Sequence, residues 1–78
     1  MIDCTLHLYG TTGTLTFDID ANLGCASIQV TNLSTGESYM EYCPSTPGSC
    51  MVAFSCSEGT YIIEIDTDKG GYYGEFVL

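Results

Sequence analysis

Few residue types in this chain could do chemistry. Five cysteines (Cys4, Cys25, Cys43, Cys50, Cys56), one histidine (His7) and ten carboxylates stand beside a single basic residue, Lys69. The cysteines include no Cys-x-x-Cys pair, their spacing fits no zinc template, and one histidine adds little. Heavy cysteine use in a chain of 78 residues points instead to disulfides and an oxidising compartment. Cys4 and His7 lie three apart on an extended segment, so their side chains take opposite faces and make a poor nucleophile–base pair. No Gly-x-Ser-x-Gly elbow occurs, and the glycines at Gly10–Gly13 and Gly70-Gly71 look like hairpin turns rather than phosphate cradles. No enzyme is expected.

Two Asp-x-Asp pairs, Asp18/Asp20 and Asp66/Asp68, end expected strands at one pole, and four carboxylates would suit Ca²⁺. That spacing puts each pair on one outer face, the pairs leave different sheets, and no EF-hand loop is present. Solubilising acids are therefore the expected reading. No cofactor is expected, with Ca²⁺ the one candidate ion. A net charge of −9 repels phosphate backbones and anionic lipid, which excludes nucleic acid and polybasic membrane binding. The apolar runs are far too short for a bilayer span, so membrane insertion is not expected. No cationic n-region with an apolar h-region opens the chain, so it reads as either a cytosolic protein or a mature, processed one. With an oxidising compartment, Met1 then reads as a residue standing in place of a removed signal.

The elements that must position these residues are strands. Period-2 alternation runs through nearly the whole chain, and no segment holds a 3.6-residue stripe. Leu6 and Leu8 mark a first strand; Gly10-Thr11-Thr12-Gly13 turns it; Leu15, Phe17 and Ile19 mark a second. Ala26, Ile28 and Val30 mark a third, and a turn over 32–36 leads to Glu37–Cys43, an edge strand. Pro44–Ser49 reads as loop. Val52 and Phe54 mark a fifth strand, Gly59–Ile65 a sixth, and Tyr72–Leu78 a seventh after Lys69-Gly70-Gly71.

Seven short strands predict an all-β fold, a seven-stranded antiparallel immunoglobulin-like β-sandwich in one domain spanning 1–78. An open oligonucleotide-binding barrel is the alternative, and the charge disfavours its usual ligand. The first, second and fifth strands would form one sheet and the other four the second. The expected core is Leu6, Leu8, Leu15, Phe17, Ile19, Ile28, Val30, Val52, Phe54, Tyr61, Ile63, Ile65 and Phe76. Tyr61, just after Gly59-Thr60, can bury its ring and return its hydroxyl to backbone. Cys4, Cys25, Cys43 and Cys50 fall near one pole and Cys56 near the other. Cys43–Cys50 needs only that the intervening loop return on itself, and Cys4–Cys25, the remaining pair, must cross between sheets. Cys56 shares the parity of Val52 and Phe54 and is expected as an inward, inert thiol.

Ile28-Gln29-Val30-Thr31-Asn32 with Ser34-Thr35-Gly36-Glu37 resembles a hairpin of certain small secreted bacterial domains. Gly59-Thr60-Tyr61-Ile62-Ile63-Glu64-Ile65 and Gly71-Tyr72-Tyr73-Gly74-Glu75-Phe76-Val77-Leu78 are similar to their closing strands. Over residues 12–78 the chain resembles a family of small secreted immunoglobulin-like proteins of gut anaerobes, whose function is unknown. The resemblance implies the fold and an exported location, and it supplies no functional residue. The Gly-Thr-Tyr strand also resembles type IX secretion sorting domains, which usually end in basic residues absent here.

The expected function is a non-enzymatic, secreted, periplasmic or cell-surface binding or structural module with an unidentified protein or glycan partner. Ile62, Tyr73 and Val77 with Gln29 would form its outward binding patch. A sorting or anchoring domain is one alternative. A disulfide-stapled enzyme inhibitor using Pro44–Ser49 is the other. Asn32-Leu33-Ser34 formally matches a glycosylation acceptor.

Overall fold

A computed structural model of the protein describes residues 2–78. Met1, and the reading of it as a substitute for a removed signal, lie outside them. Seven antiparallel strands run β1 Ile2–Tyr9, β2 Thr12–Ile19, β3 Ala26–Asn32, β4 Ser38–Cys43, β5 Gly48–Ser55, β6 Thr60–Thr67 and β7 Gly70–Val77. No helix occurs among the described residues. The strands form two sheets, in the orders β1-β2-β5 and β4-β3-β6-β7, the distribution read from the sequence.

Alternation sets which side chains are buried. On β2, Leu15, Phe17 and Ile19 point inward; on β3, Ala26, Ile28 and Val30 do. Register carries that parity across each sheet. Leu6 and Val52 flank Leu15, Cys4 and Cys50 flank Phe17, Ile65 faces Ile28, and Ile63 faces Val30. The inner faces of both sheets thereby supply one core. Aromatic rings fill one end of it. Phe54 meets Tyr39, Tyr61 and Phe76 edge-on at 6.1, 5.3 and 6.2 Å, and Tyr61 stacks on Phe76 at 4.8 Å.

Tyr61 is fully buried, and its Oη lies 2.6 Å from the carbonyl oxygen of Ser57 and 3.1 Å from that of Ser55. The hydroxyl thus pins the β5–β6 connection from inside the core, as the sequence suggests, and burial raises the phenol pKa. Tyr61→Phe keeps the ring and orphans those carbonyls. It is expected to lose about 1 kcal/mol in urea melts with an unchanged m-value.

Several boundaries differ from expectation. Turns shrink because glycines join ladders: Gly13 pairs with Leu8, and Gly70 and Gly71 pair with Thr67 and Asp66. Gly10 (φ 63°) alone supplies the left-handed residue of the β1–β2 turn. Gly48 and Ser49, expected in a loop, pair with Ile19 and Asp18 and open β5. Leu8 has core parity but is 55% exposed, because it stands opposite Gly13 at the end of an edge strand. Leu23, Ala26 and Cys43 are buried although not among the expected core.

Candidate functional site

The two sides of the molecule differ, and the difference locates the site. On one side β4 and β5 approach each other and are joined. Cys43, opposite Ala26, and Cys50, opposite Phe17, both face inward, and their disulfide ties the two sheets together. Within the intervening loop Thr46 is buried: its hydroxyl accepts from the Leu23 N–H at 2.7 Å and donates to the Gly24 carbonyl at 2.9 Å. At the far end of this side Tyr39 Oη lies 2.8 Å from Ser55 Oγ. Glu41 has the inward parity of Ile28 yet remains exposed, a charge that guards the β4 edge against strand pairing.

Glu37 completes that side. Its carboxylate accepts from the hydroxyls of Thr35 and Tyr39 at 3.1 Å, Ser55 at 3.2 Å and Ser57 at 3.3 Å. These donors, Thr35 foremost, hold its pKa below the usual glutamate value. A depressed carboxylate pKa adds stability above the unfolded-state value and loses it as pH falls through the folded one. Stability should therefore decline on acidification through the glutamate range, and Glu37→Gln should flatten that decline in melts run between pH 6 and pH 3 (about the carboxylate window).

On the other side both sheets end in uncovered strands, β1 and β7. Between them lies an apolar cleft of two adjoining volumes, about 260 Å³ and about 330 Å³. Ile2, Cys4 and Leu6 of β1 form one wall and Tyr72, Gly74 and Phe76 of β7 the other, over a floor that includes Phe17 and Ile63. Gly74 keeps it open. It takes the inward position opposite Ile63, and a Cβ there would meet no atom within 4 Å. Cys4 remains exposed at the mouth of the cleft, and its partial burial there raises the thiol pKa.

The expected site residues fall as follows. Ile62, Tyr73, Val77 and Gln29 take the outer face of the larger sheet. Glu75 stands between Tyr73 and Val77 on β7 and opposite Ile62, and the Gln29 amide donates to Ser38 at 3.0 Å. The four aspartates share a pole without converging. Asp18 faces outward on the smaller sheet and takes the Ser49 hydroxyl at 2.5 Å; Asp66 faces outward on the larger one, opposite Ser27. Asp68 accepts from the Cys25 N–H at 3.1 Å, and Asp20 follows the end of β2. Among the described residues no three His, Cys, Asp or Glu side chains gather to hold a metal, so the calcium constellation is not assembled.

Cys43–Cys50 forms, whereas the Cys4–Cys25 pairing does not: both thiols are free. Cys4 faces the cleft, while the Cys25 Sγ lies 3.4 Å from the Pro44 carbonyl oxygen and beside Tyr42 on the outer face. Cys56 is free and half-buried, with its sulfur close to Gly13. Asn32 is fully buried; its amide donates to the Glu58 carbonyl and its oxygen accepts from the N–H groups of Ser34 and Thr35. It is a turn-building residue with no room for a glycan.

The cleft was missed in sequence because its signal is a glycine in mid-strand, Gly74, where alternation calls for an apolar side chain. No protein-family model matches this chain, and no curated protein is similar to it.

Proposed function

We propose that the protein is a non-enzymatic, exported binding module of the immunoglobulin-like class, which holds a partner at the cell surface in the cleft between β1 and β7. The carrying observation is the cleft itself: an apolar trough in a domain whose opposite side is closed by a disulfide. Its apolar walls suit a protein segment better than a glycan. Strand order and the Tyr61 hydroxyl on backbone four residues upstream favour the immunoglobulin-like assignment. The disulfide favours an oxidising, exported location.

Gly74→Val tests the reading. Filling open space and replacing a strand glycine should stabilise the domain by about 0.5–1 kcal/mol. Immobilised wild-type protein should retain a partner from source-organism surface extract, and the more stable variant should not. Retention of the same proteins by both would remove the cleft from the function.

A further inference from the structure

We propose that the free edge of β7 is a strand-addition site for an extended segment of a partner protein. That segment carries apolar side chains at alternate positions with lysine or arginine between them. The proposal rests on the binding-module reading and names the chemistry of its occupant.

The backbone provides the first argument. Gly59 and Leu78 exchange both hydrogen bonds, at 3.1 and 3.0 Å. Bonded and non-bonded pairs alternate along an antiparallel ladder, so the register makes Phe76, Gly74 and Tyr72 the β7 residues bonded to β6. The N–H and C=O groups of Gly71, Tyr73, Glu75 and Val77 then point to the uncovered side. β7 is eight residues long, without proline, and in unbroken register. Its inner row, Tyr72, Gly74 and Phe76, carries no charge like the Glu41 that guards β4. Such an edge is a template for another strand.

Side-chain space provides the second. A strand laid on β7 continues the larger sheet across the mouth of the cleft. Its inward side chains enter the volumes walled by Ile2, Cys4 and Leu6, the bulkiest beside Gly74, where space is open. Charge provides the third. Outward side chains of the added strand neighbour Glu75 and Tyr73, with Glu64 next across the sheet, on a chain of net charge −9. Cationic residues match that face, and a second copy brings −9 against −9 with Glu75 on the shared edge.

The test uses an acetylated, amidated peptide in which valine and leucine alternate with lysine, titrated calorimetrically into the intact protein at physiological salt. A scrambled peptide of the same composition, and one with glutamate for lysine, should bind at least about tenfold more weakly. In an antiparallel complex the lysine N–H groups face β7. Methylating those nitrogens should abolish binding, and methylating the nitrogens of the apolar residues should not. Amide exchange at Tyr73, Glu75 and Val77 should slow by about tenfold or more on binding. The proposal is overturned if the scrambled or glutamate peptide binds equally, if those three amides are unaffected, or if light scattering shows the edge already occupied in a dimer. None of those results touches the Gly74-dependent capture from extract, so the broader reading stands or falls separately.

Discussion

Phe54→Ala should destabilise the domain by about 3–5 kcal/mol, the cost of emptying an aromatic site in a packed core. The ring is 3% exposed and meets Tyr39, Tyr61 and Phe76 edge-on, so its loss unseats the end of the core where both sheets meet. Gly13 exists for this ring. A Cβ at that position of β2 would overlap the Phe54 ring edge, so no collapse of the neighbouring strand can refill the space without backbone movement. Domains of this size hold only about 4–12 kcal/mol in all. The variant should therefore melt broadly or be unfolded at room temperature in calorimetry, and a loss below about 1 kcal/mol would show that the aromatic cluster does not hold that end of the core together.

Removing the staple is the second large effect. Cys43→Ala with Cys50→Ala opens a ring closed across a sequence separation of 7, worth about 2.5 kcal/mol in the chain-entropy model. Because Cys43 is buried and Cys50 packs on the core, the substitution also leaves small voids, so the loss should reach that figure rather than fall short. A reductant should lower the wild-type melting temperature and leave that of the double variant unchanged. Alkylation of the native protein followed by peptide mapping should find Cys4, Cys25 and Cys56 modified and Cys43 linked to Cys50. A Cys4–Cys25 bridge in that map would contradict the placement of Cys4 in the cleft.

Strand number, sheet membership and most of the core were legible because alternation is nearly unbroken from Leu15 to Ile65, and parity propagates by register once one residue is fixed. Tyr61 was legible for the same reason: a tyrosine with core parity after Gly59 has one place to send its hydroxyl. Glycines were misread where they lie inside strands. Gly13 reads as part of a turn but lies in the ladder and makes room for Phe54, and Gly74, read within the seventh strand, leaves a wall of the cleft bare. Parity put the outward residues on the expected face and says nothing about what stands between them, where Glu75 separates Tyr73 from Val77 along β7. The aspartates failed because sharing a pole does not bring outer faces of opposite sheets together. Cys4–Cys25 rested on a shared pole alone, and Cys4 instead faces the cleft while Cys25 sits beside Tyr42 on the outer face.

Residue-resolved amide hydrogen exchange on the free protein tests most directly whether β7 is an open edge beside the cleft. Protection should alternate along the strand: Tyr72, Gly74 and Phe76 slow, held by β6, and Tyr73, Glu75 and Val77 near the rates of unstructured peptide, since their N–H groups find no partner strand. Uniform protection from Tyr72 to Val77 would show that the edge is covered in solution, and would contradict the account.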